Sequence, residues 1–150
     1  MIVEVRIESR LFDPGEEAAR LVAGRADVGA LVSFAGYCRD EGGRLAALEL
    51  DHYPGMAEDE IARIGAEAAG RWALSGLLVV HRHGLIRPGE PIVVVAAASA
   101  HRASAFAATE FVMDYLKTRA PFWKKEHLAD GSEGEWVAPK DSDEAATRRW

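Results

Sequence analysis

Cysteine is nearly absent: Cys38 is the only one in 150 residues. No intrachain disulfide can form, and a reducing compartment fits. Long apolar runs are missing too. The stretch from Pro91 to Ala100 falls far short of the roughly 20 residues that a membrane-spanning helix needs. The opening residues Met1 to Arg6 carry charges inside their apolar pattern and do not read as a signal peptide. Positive charge is the minority sign. The 24 acids outnumber the 18 lysines and arginines, leaving a net charge of −6. That balance disfavours a nucleic-acid ligand, for which a broad basic face is expected. No linker, repeat or low-complexity tract divides the chain, so it reads as one domain over 1–150 in the cytoplasm, with no membrane partner.

What is present reads as alternating strands and helices. Residues 2–9 set Val3, Val5 and Ile7 against Glu4, Arg6 and Glu8, the pattern of a half-buried strand. Asp13 and Pro14 are a cap and a first helical residue, predicting a helix to about Gly24. Residues 28–38 read as a buried strand and 45–53 as another. The turn residues 40–43 between them suggest a hairpin. A helix is expected over 54–72, then strands over 77–83 and 92–98 around a turn at 87–90. The longest helix is expected over 101–118, stopped by Pro121. Two short strands, 122–128 and 135–137, and a polar helix over 141–149 complete the reading. Hairpins imply antiparallel pairing, so the fold class is α+β rather than a doubly wound parallel sheet. No Gly-rich fingerprint follows the first strand, which argues against a dinucleotide fold.

Three spots could carry chemistry. The run from Lys117 to Lys125 holds four Lys or Arg among nine residues and no acid, against the acidic background. Lys117 and Arg119 could simply complement a helix C-terminus. The interleaved Pro121, Phe122 and Trp123 suggest more: an apolar wall that desolvates a lysine and lowers its pKa, fitting it for proton transfer or nucleophilic work. The break at Pro121 lets the chain fold back and aim Lys117 and Lys124 at one anion. The second spot is Ser99 to Arg102, at a strand end that opens a helix. There, free backbone N–H groups, a switchable His101 and a fork donor Arg102 suit an anion. The plain alternative is a Ser99 cap with His101 exposed. The third spot is Gly36 to Arg39, where Arg39 could reach a phosphate. Cys38 there reads as a small core residue rather than a nucleophile. His81 and His83 share a strand face, but no further ligand stands near them and no metal site is expected.

In order along nearly the whole chain, His52-Tyr53-Pro54-Gly55-Met56, His81 to Gly84 with Pro88-Gly89-Glu90, Ser99 to Arg102, and above all Met113 to Glu126 resemble the large subunit of molybdopterin synthase. The resemblance implies an α/β-hammerhead-type fold with a largely antiparallel sheet. It implies a homodimer of large subunits within a heterotetramer. Each large subunit would take a small ubiquitin-like subunit whose C-terminal thiocarboxylate delivers sulfur to cyclic pyranopterin monophosphate. No resident cofactor is implied, because the pterin is substrate. By position, Lys117 and Lys124 correspond to the family's essential lysines, and Arg39, His101 and Arg102 to its substrate pocket. Lys140 stands where an arginine that reaches the neighbouring subunit is expected. A lysine there keeps the charge and loses the bidentate fork. The loop Asp40 to Arg44 is shorter than the family's usual one. The competing reading is a scaffold without catalysis that binds a ubiquitin-like tail or a phosphorylated metabolite. A phosphatase finds no support in metal ligands or in a Cys-x5-Arg loop.

Overall fold

The computed structural model describes residues 1–137 and 145–150. In chain order the elements are β1 (Ile2–Glu8), α1 (Pro14–Val22), β2 (Ala30–Tyr37), β3 (Leu45–His52), α2 (Met56–Arg71), β4 (Gly76–Arg82), β5 (Gly84–Ile86), β6 (Pro91–Ser99), α3 (Arg102–Leu116) and β7 (Phe122–Leu128). They form two sheets. The larger has the order β1-β4-β6-β2 and the smaller β5-β3-β7. Among the described residues only β1 and β4 run parallel and the other strand pairs are antiparallel; the fold is α+β.

β4 and β6 lack polar alternation because both faces are covered. Leu77, Val79, Val95 and Ala97 meet Ile61, Ile64, Phe111 and Val112 from α2 and α3. Leu78, Val80, Val94 and Ala96 meet Phe12, Ala18 and Leu21 around α1. Local signals place the helices. The Asp13 side chain accepts from Glu16 N at 3.1 Å, and Pro14 opens α1. Glu58 accepts from Gly55 N at 3.2 Å at the start of α2. The C-terminal residues lie on α2 and α3. Trp150 Nε1 donates to Asp114 at 2.6 Å, and the Trp150 ring meets Trp72 and Phe111 edge-on.

The hairpin expected between 28–38 and 45–53 does not form. β2 pairs instead with β6, from Ala30↔Ser99 to Tyr37↔Pro91, while β3 crosses to the second sheet between β5 and β7. Polarity explains the separation. β6 is apolar on both faces and belongs inside a sheet, so its open edge takes β2. β3 alternates, with Leu48 and Leu50 against Glu49 and Asp51, which suits a sheet covered on one face only. Its apolar side closes over Cys38, Leu45, Leu50 and Ile86. The strand expected over 135–137 is reduced to one bridge, Lys124↔Val137, with a second bridge, His127↔Glu133, just before it. Of the helix expected over 141–149, residues 145–147 are helical and 141–144 lie outside the described residues. Among the described residues no helix is long and apolar enough to cross a membrane.

The β2–β6 junction is tight at its N-terminal end. Gly29 N donates to Ser99 O at 2.9 Å, and a Cβ on Gly29 would stand 2.2 Å from the Ala100 carbonyl oxygen. Gly70, inside α2, has open space where its Cβ would go. Gly29→Ala should therefore destabilise the fold by about 1–3 kcal/mol, as overpacking does. Gly70→Ala should stabilise it by about 0.5–1 kcal/mol through helix propensity. Urea unfolding midpoints of the two variants check both signs.

Candidate active site

Where the two sheets diverge, they leave a pocket of about 500 Å³. That is the size range of small-molecule sites. Its wall is apolar, with Phe34 from β2, Leu48 and Leu50 from β3, Ile92 and Val93 from β6, and Met113 and Leu116 from the last turn of α3. A register shift falls between Gly36 and Tyr37, beyond which Cys38 still exchanges backbone bonds with Glu90 and Gly89, and Cys38 and Arg39 both line the pocket. The polar lining is Arg39, Glu41, His81, Lys117, Lys124 and Glu126.

The structure thus brings together Arg39, Lys117 and Lys124 from three separate segments. Lys117 caps the C-terminus of α3, with its N–H bonded to Met113 O. Arg119 N then closes on Tyr115 O at 2.7 Å, Pro121 ends the turn, and β7 returns with Lys124 facing the pocket. Within the basic run, ion pairing separates the residues. Arg119 donates to Glu67 at 2.8 Å and lies over the Tyr115 ring, and Lys125 pairs with Glu133 at 2.9 Å. Among the described residues Lys117 and Lys124 have no carboxylate within ion-pair distance, and Arg39 reaches only Glu41, at 3.8 Å. The two pocket carboxylates are held elsewhere: Arg44 binds Glu41 and also Glu126, the latter at 2.8 Å. Hydrogen bonding from Arg44 keeps the Glu41 carboxyl below its usual range.

His101 and Arg102 do not join this group. They sit exposed at the N-terminus of α3, whose 15 residues separate them from Lys117 by about 22 Å at helical rise. Ser99 is buried and does not cap the helix with a side-chain bond to its first turn. Its hydroxyl donates to Ala73 O at 2.7 Å and accepts from His101 N at 3.3 Å. Lys140 lies outside the described residues. The aromatic wall differs from expectation. Phe122 turns inward against His81, while Trp123 turns outward against Tyr53. Neighbouring strand residues face opposite sides, so the two rings could not share one wall. Cys38 is buried in the pocket wall, and burial, with Glu41 and Glu90 nearby, pushes its thiol pKa up. It is held as a neutral thiol rather than an attacking thiolate. Among the described residues no group of three or more His, Cys, Asp or Glu could hold a metal ion.

Comparison with known proteins agrees with this geometry. The family model described as MoaE protein matches residues 7–119. The chain belongs to the MoaE family. A molybdopterin synthase catalytic subunit from Mesorhizobium japonicum is 66% identical over 146 residues, covering 97% of this chain and 92% of that protein. One from Brucella melitensis biotype 1 is 55% identical over 148 residues, covering 99% and 91%. Among solved structures, the MoaE protein from Burkholderia ambifaria superposes with a TM-score of 0.85 at 48% identity, covering 99% of this chain and 98% of that one.

Two residues escaped the sequence reading: Arg44, which binds two carboxylates of this MoaE pocket, and His81, which lines it. Arg44 looked like an ordinary loop cation, and its two carboxylate partners come from segments 82 residues apart or three residues apart. His81 was considered only as a metal ligand. Enclosure of its ring pushes its pKa down from 6.5 to about 4, with Lys117, His52 and His83 adding repulsion. The unfolded imidazole protonates near 6.5 and the folded one near 4. Above 6.5 both are neutral. Between 6.5 and 4 only the unfolded chain takes up the proton, so stability falls as pH drops, by an amount on the order of 2–3 kcal/mol. Urea midpoints between pH 7 and pH 4.5 should show this decline, and His81→Phe should flatten much of it. His52, also held below its usual range by burial, leaves a smaller slope behind.

Proposed function

We propose that this chain is the catalytic subunit of a molybdopterin synthase and that the pocket between the sheets is its active site. In this reading the chain forms one catalytic domain over 1–150, acts in the cytoplasm, and has no resident cofactor. Its donor is the C-terminal thiocarboxylate of a small ubiquitin-like subunit, and its acceptor is cyclic pyranopterin monophosphate. One observation carries the assignment: two lysines without a carboxylate in ion-pair distance among the described residues, and an arginine that there has only a long one, line a pocket whose own acids are bound by Arg44. Unpaired cations in a partly apolar pocket suit small anions, and both reactants are anionic where they react.

Roles follow from position. Lys117, exposed at the end of α3, suits the thiocarboxylate tail entering from outside. Lys124, half-buried on β7, faces deeper chemistry. Attack of sulfur on the pterin side chain and opening of the cyclic phosphate both need protons moved, and a lysine is the group to move them. Arg39 holds the phosphate. The separation of His101 and Arg102 from Lys117 supports a homodimer in which they serve the neighbouring copy's pocket, with Lys140 as a further contributor. The dimer with two small subunits is the heterotetramer. A scaffold that only holds the small subunit would need the cations at the tail channel but not Lys124.

Reconstitution tests the proposal. The purified chain, a thiocarboxylated small subunit and cyclic pyranopterin monophosphate should yield molybdopterin. Lys117→Ala and Lys124→Ala should each lower the rate by about 10²-fold or more, the scale of lost proton transfer. Lys125→Ala and Arg119→Ala, which break ion pairs outside the pocket, should leave it nearly unchanged. Stable binding of the small subunit without product would establish the scaffold instead.

A further inference from the structure

Leu77, Val79 and His81 share the face of β4 that lies under α2 and α3. The first two are core residues. At the third such position, where α3 has ended and the pocket begins, the strand carries an imidazole. Its ring stacks on Phe122 with centroids 4.0 Å apart and planes 16° from parallel. Its Nδ1 stands 2.8 Å from the Arg82 carbonyl oxygen. A carbonyl can only accept, so Nδ1 carries the proton. The neutral ring has one proton to place, and Nε2 is therefore a bare acceptor. Among the described residues nothing hydrogen-bonds to Nε2, and no carboxylate lies within ion-pair distance of the ring. The ring lines the same pocket as Lys117 and Lys124. Nε2 is not enclosed in the core: it opens onto the pocket, where a donor can reach it.

We propose that His81 is a positioning residue for Lys117: its Nε2 accepts a hydrogen bond from the Lys117 ammonium and aims that cation at the anion in the pocket. The inference rests on the reading of Lys117 as a site residue. Lys117 is exposed and, among the described residues, makes no side-chain hydrogen bond or ion pair, so its flexible stem is free to bring the ammonium to Nε2. The acceptor has to be neutral. A carboxylate in the same place would pair with the ammonium and cancel the charge that the anion needs, as Glu67 does for Arg119 and Glu133 for Lys125. An imidazole that protonated at working pH would repel the ammonium instead. Burial first, and the neighbouring Lys117, His52 and His83 after it, hold this ring in its neutral form against the opposing pull of the Arg82 carbonyl, and the bond to that carbonyl places the one proton on Nδ1.

Two measurements decide it. Nitrogen-15 NMR on the free protein should find His81 protonated at Nδ1 and bare at Nε2, with the Nε2 resonance shifting in Lys117→Ala. In the single-turnover assay, His81→Phe keeps the ring stacking and removes the acceptor. It should lower the rate by about 10- to 100-fold, the worth of a hydrogen bond to a charged group. It should cost nothing further on top of Lys117→Ala, and His81→Gln, which returns an amide near the Nε2 position, should recover part of the loss. An Nε2 resonance indifferent to Lys117, or a His81→Phe loss repeated in full in the Lys117→Ala background, would overturn the proposal. So would a lowered melting temperature with an unchanged rate. Full activity in Lys117→Ala would instead remove the functional reading of that lysine, and the resonance would still report whether the two side chains meet.

Discussion

Burial of β4 and β6 on both faces is the constraint from which the rest of the structure follows. Leu77, Val79, Val80, Val94, Val95 and Ala96 to Ala98 have no exposed surface. Each valine or leucine so placed contributes roughly 1.5–3 kcal/mol relative to exposure. Strands of this kind need cover on two sides, and the helices divide accordingly, α1 on one face and α2 with α3 on the other. The position of α3 is thereby set by packing. Its last core residue, Leu116, is followed at once by Lys117, so the cation arrives at the pocket because the helix is anchored through Phe111 and Val112. The same strand β4 that supplies Leu77 and Val79 to this core ends on His81. Stability and site share one scaffold, with polar residues appearing only where the apolar face runs out.

Pairing gives the pocket its electrostatic character, more than the number of charges does. The basic run from 117 to 125 holds four cations, but Arg119 and Lys125 are occupied by Glu67 and Glu133. Arg44 does the converse service, binding Glu41 and Glu126 so that these pocket acids are paired with it rather than with the lysines. Because the Arg44 partners come from the 40–44 turn and from β7, this clamp also ties the short loop beside Arg39 to the second sheet. An exposed ion pair contributes little stability on its own. Here its consequence is directional: it decides which charges remain for a ligand.

Much of this was legible in the sequence, and the exceptions have physical causes. Asp13-Pro14 fixed the start of α1, because capping is local chemistry. The unbroken apolar run of β6 announced burial on both faces. The convergence of Lys117 and Lys124 was readable from the Pro121 break between them. Strand partnership was not readable. A turn at 40–43 between two strands looks like a hairpin, and only competition for the open edge of β6 reveals that β2 belongs there and β3 does not. His81 was invisible as a pocket residue for a related reason. Its neighbour Phe122 is 41 residues away in the chain, and the ring stack that holds its imidazole at the pocket wall exists only after β7 returns beside β3. His101 and Arg102 illustrate the opposite case. Their local setting at a helix start was read as an anion site, yet their relation to Lys117 is set by the length of α3, which places the two ends of one helix too far apart to serve one pocket of one chain.

Net charge and local charge act in opposite senses on an anionic ligand. The chain carries −6, which by itself would repel one. Much of that acidity is locked in surface pairs, such as Glu17 with Arg6 at 2.7 Å and Asp114 with Arg149 at 2.7 Å. Fields from exposed charges fade beyond a Debye length of about 8 Å at physiological salt. At the pocket mouth the nearest charges are Arg39, Lys117 and Lys124, and the nearest acids are already bound to Arg44. An anion at contact range therefore meets positive potential even though the molecule as a whole is acidic. The acidic exterior in turn discourages polyanions such as nucleic acids, which would have to lie along a surface rather than enter a pocket. Selectivity for small anions, or for the tip of a flexible anionic tail, then follows from where cations are left unpaired.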